Sequence, residues 1–206
     1  MKPVAAAWPD RWLRETLGVE PREAALYEAA LTHRSASGRN NERLEFLGDS
    51  VLNLLVAEML YRRFPSSTEG DLSRLRARLV SEGPLAQVAQ SLALGDELRL
   101  GSGELKTGGF RRESILADAL EALIGAVYLD LGLESARALV ERLAAPLMAA
   151  LPAAEELKDP KTRLQERLQG RGLALPTYTV ERVSGEPHAQ HFEVRCEVEE
   201  IGRAHV

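Results

Sequence analysis

Over residues 8–151 the apolar positions are filled mainly by Leu and Ala, interleaved with charged side chains. Both residues are strong helix formers, and the pattern predicts a region that is almost all helix. Turn signals divide it at Gly38, at 65–70, at Gly83-Pro84, at Gly95, at 101–109 and at Gly132. The longest helical pattern opens at Asn41 and runs to about Phe64. Beyond Leu151 the character changes. A short tract of Pro, Ala and charged residues suits a linker. A helix is predicted over 161–169, then strands over 177–183 and 190–198, with Ser184, Gly185 and Pro187 marking a hairpin loop between them.

Composition narrows the class. With 206 residues there is room for one good core and a smaller module. An apolar fraction of 45% excludes disorder as a description of the whole chain. Cys196 is the one cysteine, so an intrachain disulfide and a Cys-rich zinc site are both excluded. The most apolar stretch, 115–131, is interrupted by Asp118, Glu121 and Asp130, and no run reaches the length of a membrane span. The N-terminus shows no secretory signal, which predicts a soluble, cytoplasmic protein. The formal charge is -5, and because eight basic and eight acidic residues cancel over 158–206, all of it lies within residues 1–157.

The carboxylates of that region carry the first chemical signal. In Asn41-Glu-Arg-Leu-Glu-Phe-Leu-Gly-Asp49, the side chains Glu42, Glu45 and Asp49 are spaced to share one face of a helix. Like charges so placed repel by a few tenths of a kcal/mol per pair, so stability alone does not select them. Gly48, inside the same helix, costs about 1 kcal/mol and suggests that something approaches the backbone closely. A second pair, Asp118 and Glu121, sits at i and i+3 within the apolar 115–131 stretch. Buried carboxylates need a partner. A divalent cation between this pair and Glu45 with Asp49 satisfies both, and oxygen-only ligands point to magnesium or manganese. Salt bridges to Arg43, Arg74 or Arg76 are the structural alternative. The arginines Arg74, Arg76 and Arg78 beside Glu69, and the loop from Lys106 to Arg112, suit contact with a charged backbone.

The run NERLEFLGDS at 41–50 resembles the signature of the ribonuclease III family, and ESILADALEALIGAVYLD at 113–130 resembles its second block. EGDLSRLRA and GELKTGGFRRES between them also match, so the resemblance spans the helical region. DPKTRLQERLQGRG resembles the start of a double-stranded RNA-binding domain. The implied fold is a mainly α nuclease domain followed by an α-β-β fragment of an α-β-β-β-α RNA-binding domain. The implied boundaries are 1–150 for the catalytic and dimerisation domain, 151–158 for the linker and 159–200 for the partial RNA-binding domain.

The resemblance implies Mg2+-dependent endonucleolytic hydrolysis of double-stranded RNA, with Mn2+ able to substitute, leaving 5'-phosphate and 3'-hydroxyl ends. It implies a homodimer that processes ribosomal RNA precursors and structured messenger RNA, with no DNA substrate. Metal ligands fall on Glu45, Asp49, Asp118 and Glu121, with Asp49 and Glu121 foremost in catalysis and Glu42 and Glu69 near the scissile phosphate. In chemical terms, two ions about 4 Å apart neutralise the attacking and leaving oxygens of an in-line displacement. Gln165, Glu166 and His188 match RNA contacts, and Arg111 and Arg112 lie in the basic loop. Phe46, which by itself reads as a core residue, matches an aromatic that enters a pocket of the partner subunit. A non-catalytic double-stranded RNA-binding protein on the same fold is the alternative.

The chain departs from that pattern after its second strand, where the family continues with a third strand and a basic helix. An uncovered two-stranded hairpin is marginal in water, and 158–206 is expected to be weakly folded. Residues 201–206, Ile-Gly-Arg-Ala-His-Val, equal the translation of a common sequencing-adapter read and are expected to be a non-native tail on a gene model truncated at its 3' end.

Overall fold

Leu- and Ala-rich segments form helices wherever one face can be buried, and nine α-helices result among the described residues, which are 9–151, 160–186 and 190–198 of a computed structural model. They are α1 (Asp10–Glu15), α2 (Ala24–Ala30), α3 (Glu42–Arg63), α4 (Glu69–Leu79), α5 (Glu82–Ser91), α6 (Ser102–Lys106), α7 (Glu113–Leu131), α8 (Leu133–Ala149) and α9 (Pro160–Gln169). Strands β1 (Thr177–Ser184) and β2 (His191–Glu197) follow. The chain divides into two compact units, Met1–Leu151 and Pro152–Val206.

In the first unit α7 is the central helix. Ile115, Leu116, Leu120, Leu123, Ile124 and Val127 are all buried, which explains why its sequence is apolar almost all round. Its main neighbour is α3, whose Leu44, Leu52, Leu55, Val56 and Leu60 are buried. Two glycines set how closely these helices cross. A Cβ at Gly48 would stand 1.8 Å from the carbonyl oxygen of Glu121, and one at Gly125 would stand 2.4 Å from that of Leu44. The close approach suggested by Gly48 is therefore that of the α7 backbone. Gly132, at φ 85 and ψ 176, lets the chain turn directly from α7 into α8 in a conformation open to glycine alone.

The termini of shorter elements are fixed by polar side chains. The Thr68 hydroxyl accepts from the Asp71 N–H at 3.2 Å and the Asp71 carboxylate accepts from the Thr68 N–H at 3.3 Å, a reciprocal cap that starts α4. Asp130 accepts from the N–H groups of Arg22 and Glu23 at 2.8 and 3.0 Å and from the Tyr27 hydroxyl at 2.9 Å, tying the start of α2 to the end of α7. Tyr27 is fully buried, and burial together with that hydrogen bond holds its phenol well above the ordinary range. The segment after α2 is pinned by backbone bonds, with Arg99 N donating to Leu31 O at 2.8 Å and His33 N to Arg99 O at 3.0 Å.

Two turn signals resolve differently from expectation. Gly83 and Pro84 lie in the first turn of α5, where a proline loses no helix hydrogen bond. The 101–109 segment is an ordered pair of short helices, α6 and a 3-10 turn at Gly109–Arg111, because Gly109 packs against Glu104, where a Cβ would stand 2.6 Å from Cγ.

In the second unit β1 and β2 pair antiparallel, with Val180 opposite Val194 and Val183 opposite Phe192, and a bulge between Val180 and Arg182. These four apolar side chains are exposed, while Leu168 of α9 is buried. Lys161 Nζ lies 4.4 Å from the centroid of the Tyr178 ring. The expected linker, His188 and the 201–206 tail lie outside the described residues, save that Leu151 closes the first unit.

Candidate active site

At the α3–α7 crossing, Glu45 of α3 and Asp118 and Glu121 of α7 bring carboxylate oxygens within 4.8 Å of one another. All three side chains are half-buried. The crossing explains the convergence. Leu44 and Gly48 lie against Gly125 and the Glu121 carbonyl, so Glu45, next to Leu44, emerges at the edge of the contact beside the i, i+3 pair of α7.

The electrostatics follow from burial and like charge. The Glu121 carboxyl is pushed up to about 8, first by desolvation and then by the charges of Asp49, Asp118 and Glu45. Asp118 is raised by burial and next by the charge of Glu82 in the first turn of α5, with His33 and Arg34 counteracting. Glu45 is raised by burial and then by Asp118, Glu42 and Asp49, with Arg34 opposing them. A group of carboxylates so disfavoured in their charged form is chemically suited to a cation.

The other acidic residues singled out from the sequence take different places. Asp49 is exposed and stands outside the 4.8 Å group; its carboxylate accepts from Asn53 Nδ2 at 2.7 Å, although its charge reaches Glu121. Glu42 is exposed, 3.7 Å from Arg34 Nη1, and accepts from Asn40 Nδ2 at 3.3 Å. The shared helix face is thus divided, with Glu45 turned into the crossing and Glu42 and Asp49 left at its solvent edge. Glu69 lies in the first turn of α4, where Ser73 Oγ donates to it at 2.7 Å.

A cleft of about 440 Å³ opens beside the three carboxylates, lined among others by His33, Arg34, Glu42, Glu45, Arg112 and Asp118. Arg112 is held at 2.8 Å by Glu104. Arg111 stacks on Phe110 at 5.0 Å. The arginines considered as ion-pair partners for the carboxylates do not serve them: Arg74 pairs with Asp71 at 2.7 Å, and among the described residues Arg43 and Arg76 form no ion pair with the cluster. His33, Arg34, Glu82 and Glu104 are contributions that linear spacing does not reveal. His33 and Arg34 come from the segment after α2, Glu82 from the start of α5 and Glu104 from α6, and no periodic rule links such positions.

Phe46 corrects its own sequence-level reading as a core residue. It is 78% exposed, at a groove of about 640 Å³ lined also by Leu26, Ala29, Leu44, Leu47 and Leu129. In the second unit Gln165 is half-buried on α9, and Glu166 lies on the same helix with its side chain outside the described residues.

Comparison with known proteins gives this arrangement its context. A family profile described as Ribonuclease-III-like matches residues 23–147. A Ribonuclease 3 of Methylococcus capsulatus is 60% identical over 186 residues, covering 90% of this chain and 81% of that protein. A nuclease domain of ribonuclease III from Campylobacter jejuni superposes with a TM-score of 0.66 at 44% identity, covering 71% of this chain and all of that one. A second structure of that domain, described for flexibility in a region involved in dimer formation, gives 0.64 at 47% identity, covering 66% and 95%. Across the α3–α7 crossing and its cleft, and through nine-tenths of its length, the chain belongs to the ribonuclease III family of endoribonucleases.

Proposed function

We propose that the chain, as a homodimer, hydrolyses phosphodiesters of double-stranded RNA at the α3–α7 crossing, using Mg2+, for which Mn2+ can substitute. The observation that carries this is the meeting of Glu45, Asp118 and Glu121 within 4.8 Å beside a cleft walled by Arg34 and Arg112. The donor set is all oxygen, half-buried and mutually repelling, which fits a hard divalent ion. Glu45, Asp118 and Glu121 would hold it, with Asp49 joining from the solvent edge. When bound, such an ion supplies charge neutralisation for the phosphate and acidity for the attacking water.

The chain's own groups do the rest. Arg34 and Arg112 offer guanidinium donors to the phosphate, and Glu104 keeps Arg112 in place. Glu42, already paired with Arg34, and Glu69 lie near the substrate. The water oxygen bonds to phosphorus as the bond to the 3' oxygen breaks. The water's proton leaves and the 3' oxygen gains one, which yields 5'-phosphate and 3'-hydroxyl ends.

Gln165, Glu166 and His188 contact the minor groove, and Arg111 and Arg112 follow the backbone. RNA is chosen over DNA by groove shape and 2'-hydroxyl contacts. Phe46 of each subunit enters the apolar groove of the other, so that two sites flank one duplex. Precursors of ribosomal RNA and structured messenger RNA are the substrates, and the cytoplasm is the place of action; among the described residues no helix is long and apolar enough to cross a membrane.

The test is a gel assay on a long RNA duplex at low salt with Mg2+, Ca2+ or chelator, with single-stranded RNA and duplex DNA as controls. Cutting of the RNA duplex with Mg2+ alone, lost in Glu121→Gln, supports the proposal. Retained duplex binding with no cutting under any condition rejects it in favour of a non-catalytic RNA-binding protein.

A further inference from the structure

His33 lines the same cleft as Glu45 and Asp118, yet it belongs to neither helix that supplies carboxylates. Its ring is held by the residue two positions on. Ser35 N lies 3.2 Å from His33 Nδ1 in donor geometry, and Ser35 Oγ lies 2.8 Å from the same nitrogen. A backbone N–H can only donate, so Nδ1 must be the unprotonated, accepting nitrogen. Ser35 Oγ in turn accepts from Gly101 N at 2.9 Å, leaving its own hydrogen for Nδ1. With Nδ1 accepting, Nε2 is the ring nitrogen that carries a proton, and that N–H has no acceptor among the described residues.

The support for this geometry is rigid. His33 N donates to Arg99 O at 3.0 Å, and Asn41 N donates to Thr32 O at 2.9 Å. Gly101 admits the Ser35 carbonyl so closely that a Cβ there would stand 2.2 Å from it. A donor fixed this firmly in a cleft, with no protein partner, is pre-organised for a ligand atom.

We infer that His33 is a catalytic hydrogen-bond donor, its Nε2–H contacting a non-bridging oxygen of the scissile phosphate while Ser35 and Gly101 fix the tautomer. This rests on the proposed RNA hydrolysis at the same site.

The experiment compares wild type, His33→Asn and His33→Gln in the full chain. Asparagine keeps an acceptor for Ser35 N and loses the distal donor, whereas glutamine reaches with an amide N–H to the Nε2 position. In single-turnover cleavage of a defined RNA duplex with Mg2+, His33→Asn is expected to slow cutting about 100-fold, and His33→Gln to recover about tenfold of that. Duplex binding in Ca2+ and the Mg2+-induced rise in melting temperature stay at wild-type values in both. Nitrogen-15 NMR of the metal-free chain is expected to show Nδ1 unprotonated. Replacing the contacted oxygen with sulfur, in one phosphorothioate diastereomer, slows the wild type far more than His33→Asn.

Cutting by His33→Asn within about threefold of wild type, near the scatter of ordinary surface changes, overturns the inference. So does a slowdown accompanied by loss of the Mg2+ thermal response, a proton found on Nδ1, or equal sulfur effects in both proteins. If wild type itself leaves the duplex intact, the hydrolytic reading fails, and the NMR result still judges the tautomer by itself.

Discussion

Burial and three neighbouring carboxylates push Glu121 up to about 8 from its ordinary 4.5. The folded chain thus keeps a proton on Glu121 over a pH window in which the unfolded chain has lost it. Between about 4.5 and 8 the native state binds more protons than the unfolded state, so metal-free stability falls as pH rises through that window. Melting temperatures in chelator are expected to drop from pH 5 to pH 8, with Asp118 and Glu45 adding in the same direction. Magnesium should raise the melting temperature strongly at pH 8 and little at pH 5, where protons occupy the site. Glu121→Gln should flatten the pH dependence and raise the metal-free melting temperature at pH 8, by about 2–4 °C per kcal/mol of repulsion relieved, while abolishing RNA cutting. A melting temperature that climbs from pH 5 to 8 without metal would show that the cluster is not strained by charge.

The decisive pair of elements is α3 and α7. Their glycines replace what would otherwise be two steric conflicts with backbone carbonyls, which flexible side chains cannot relieve. Alanine normally improves a helix by up to about 1 kcal/mol over glycine. At Gly48 the sign should reverse, with Gly48→Ala costing about 2 kcal/mol or more as the helices are forced apart. The same change should remove the Mg2+ thermal response, because Glu45 moves with α3 away from Asp118 and Glu121. Gly83→Ala is the matched control: no atom lies within 4 Å of a Cβ at that α5 position, and stability should hold or rise. Urea unfolding of both variants with and without Mg2+ measures this. Equal effects at the two positions would mean that the crossing is not what gathers the carboxylates.

Across the whole molecule, the exposed apolar surface is divided between the two units. In the first, Phe46 and Leu129 are exposed beside the groove lined by Leu26 and Leu47, a surface that a second copy covers in the proposed homodimer. Phe46→Asp should halve the mass seen by sedimentation velocity and leave helix content unchanged, since the 78% exposed ring contributes little to its own chain's core. An unaltered mass would place subunit contact elsewhere or nowhere. In the second unit Val180, Val183, Phe192 and Val194 form an open apolar face on a two-stranded sheet. Such a hairpin has little to oppose fraying. Amide exchange in β1 and β2 should therefore be far faster than in α3 and α7, and protection equal to theirs would show that the hairpin is independently stable.

Much of this was determined by the sequence alone. The alternation between Leu/Ala-rich segments and turn residues carried the helical unit, and the strand-like runs carried the β1–β2 hairpin, because both depend on local periodicity. Spacing marked Glu45, Asp118 and Glu121 as carboxylates needing a partner, and Gly48 as a point of close approach. Helical phase is a property of one segment. Distance between segments is not, and there the tertiary structure decided. The glycine crossing selected three carboxylates to meet and left Asp49 at the edge with Asn53. Backbone bonds from Arg99 and Gly101 carried His33, Arg34 and Ser35 to the same cleft, and Phe46, helical and aromatic like a core residue, was left in solvent. Those outcomes depend on contacts between residues far apart in the chain, whose geometry is set only when the helices pack.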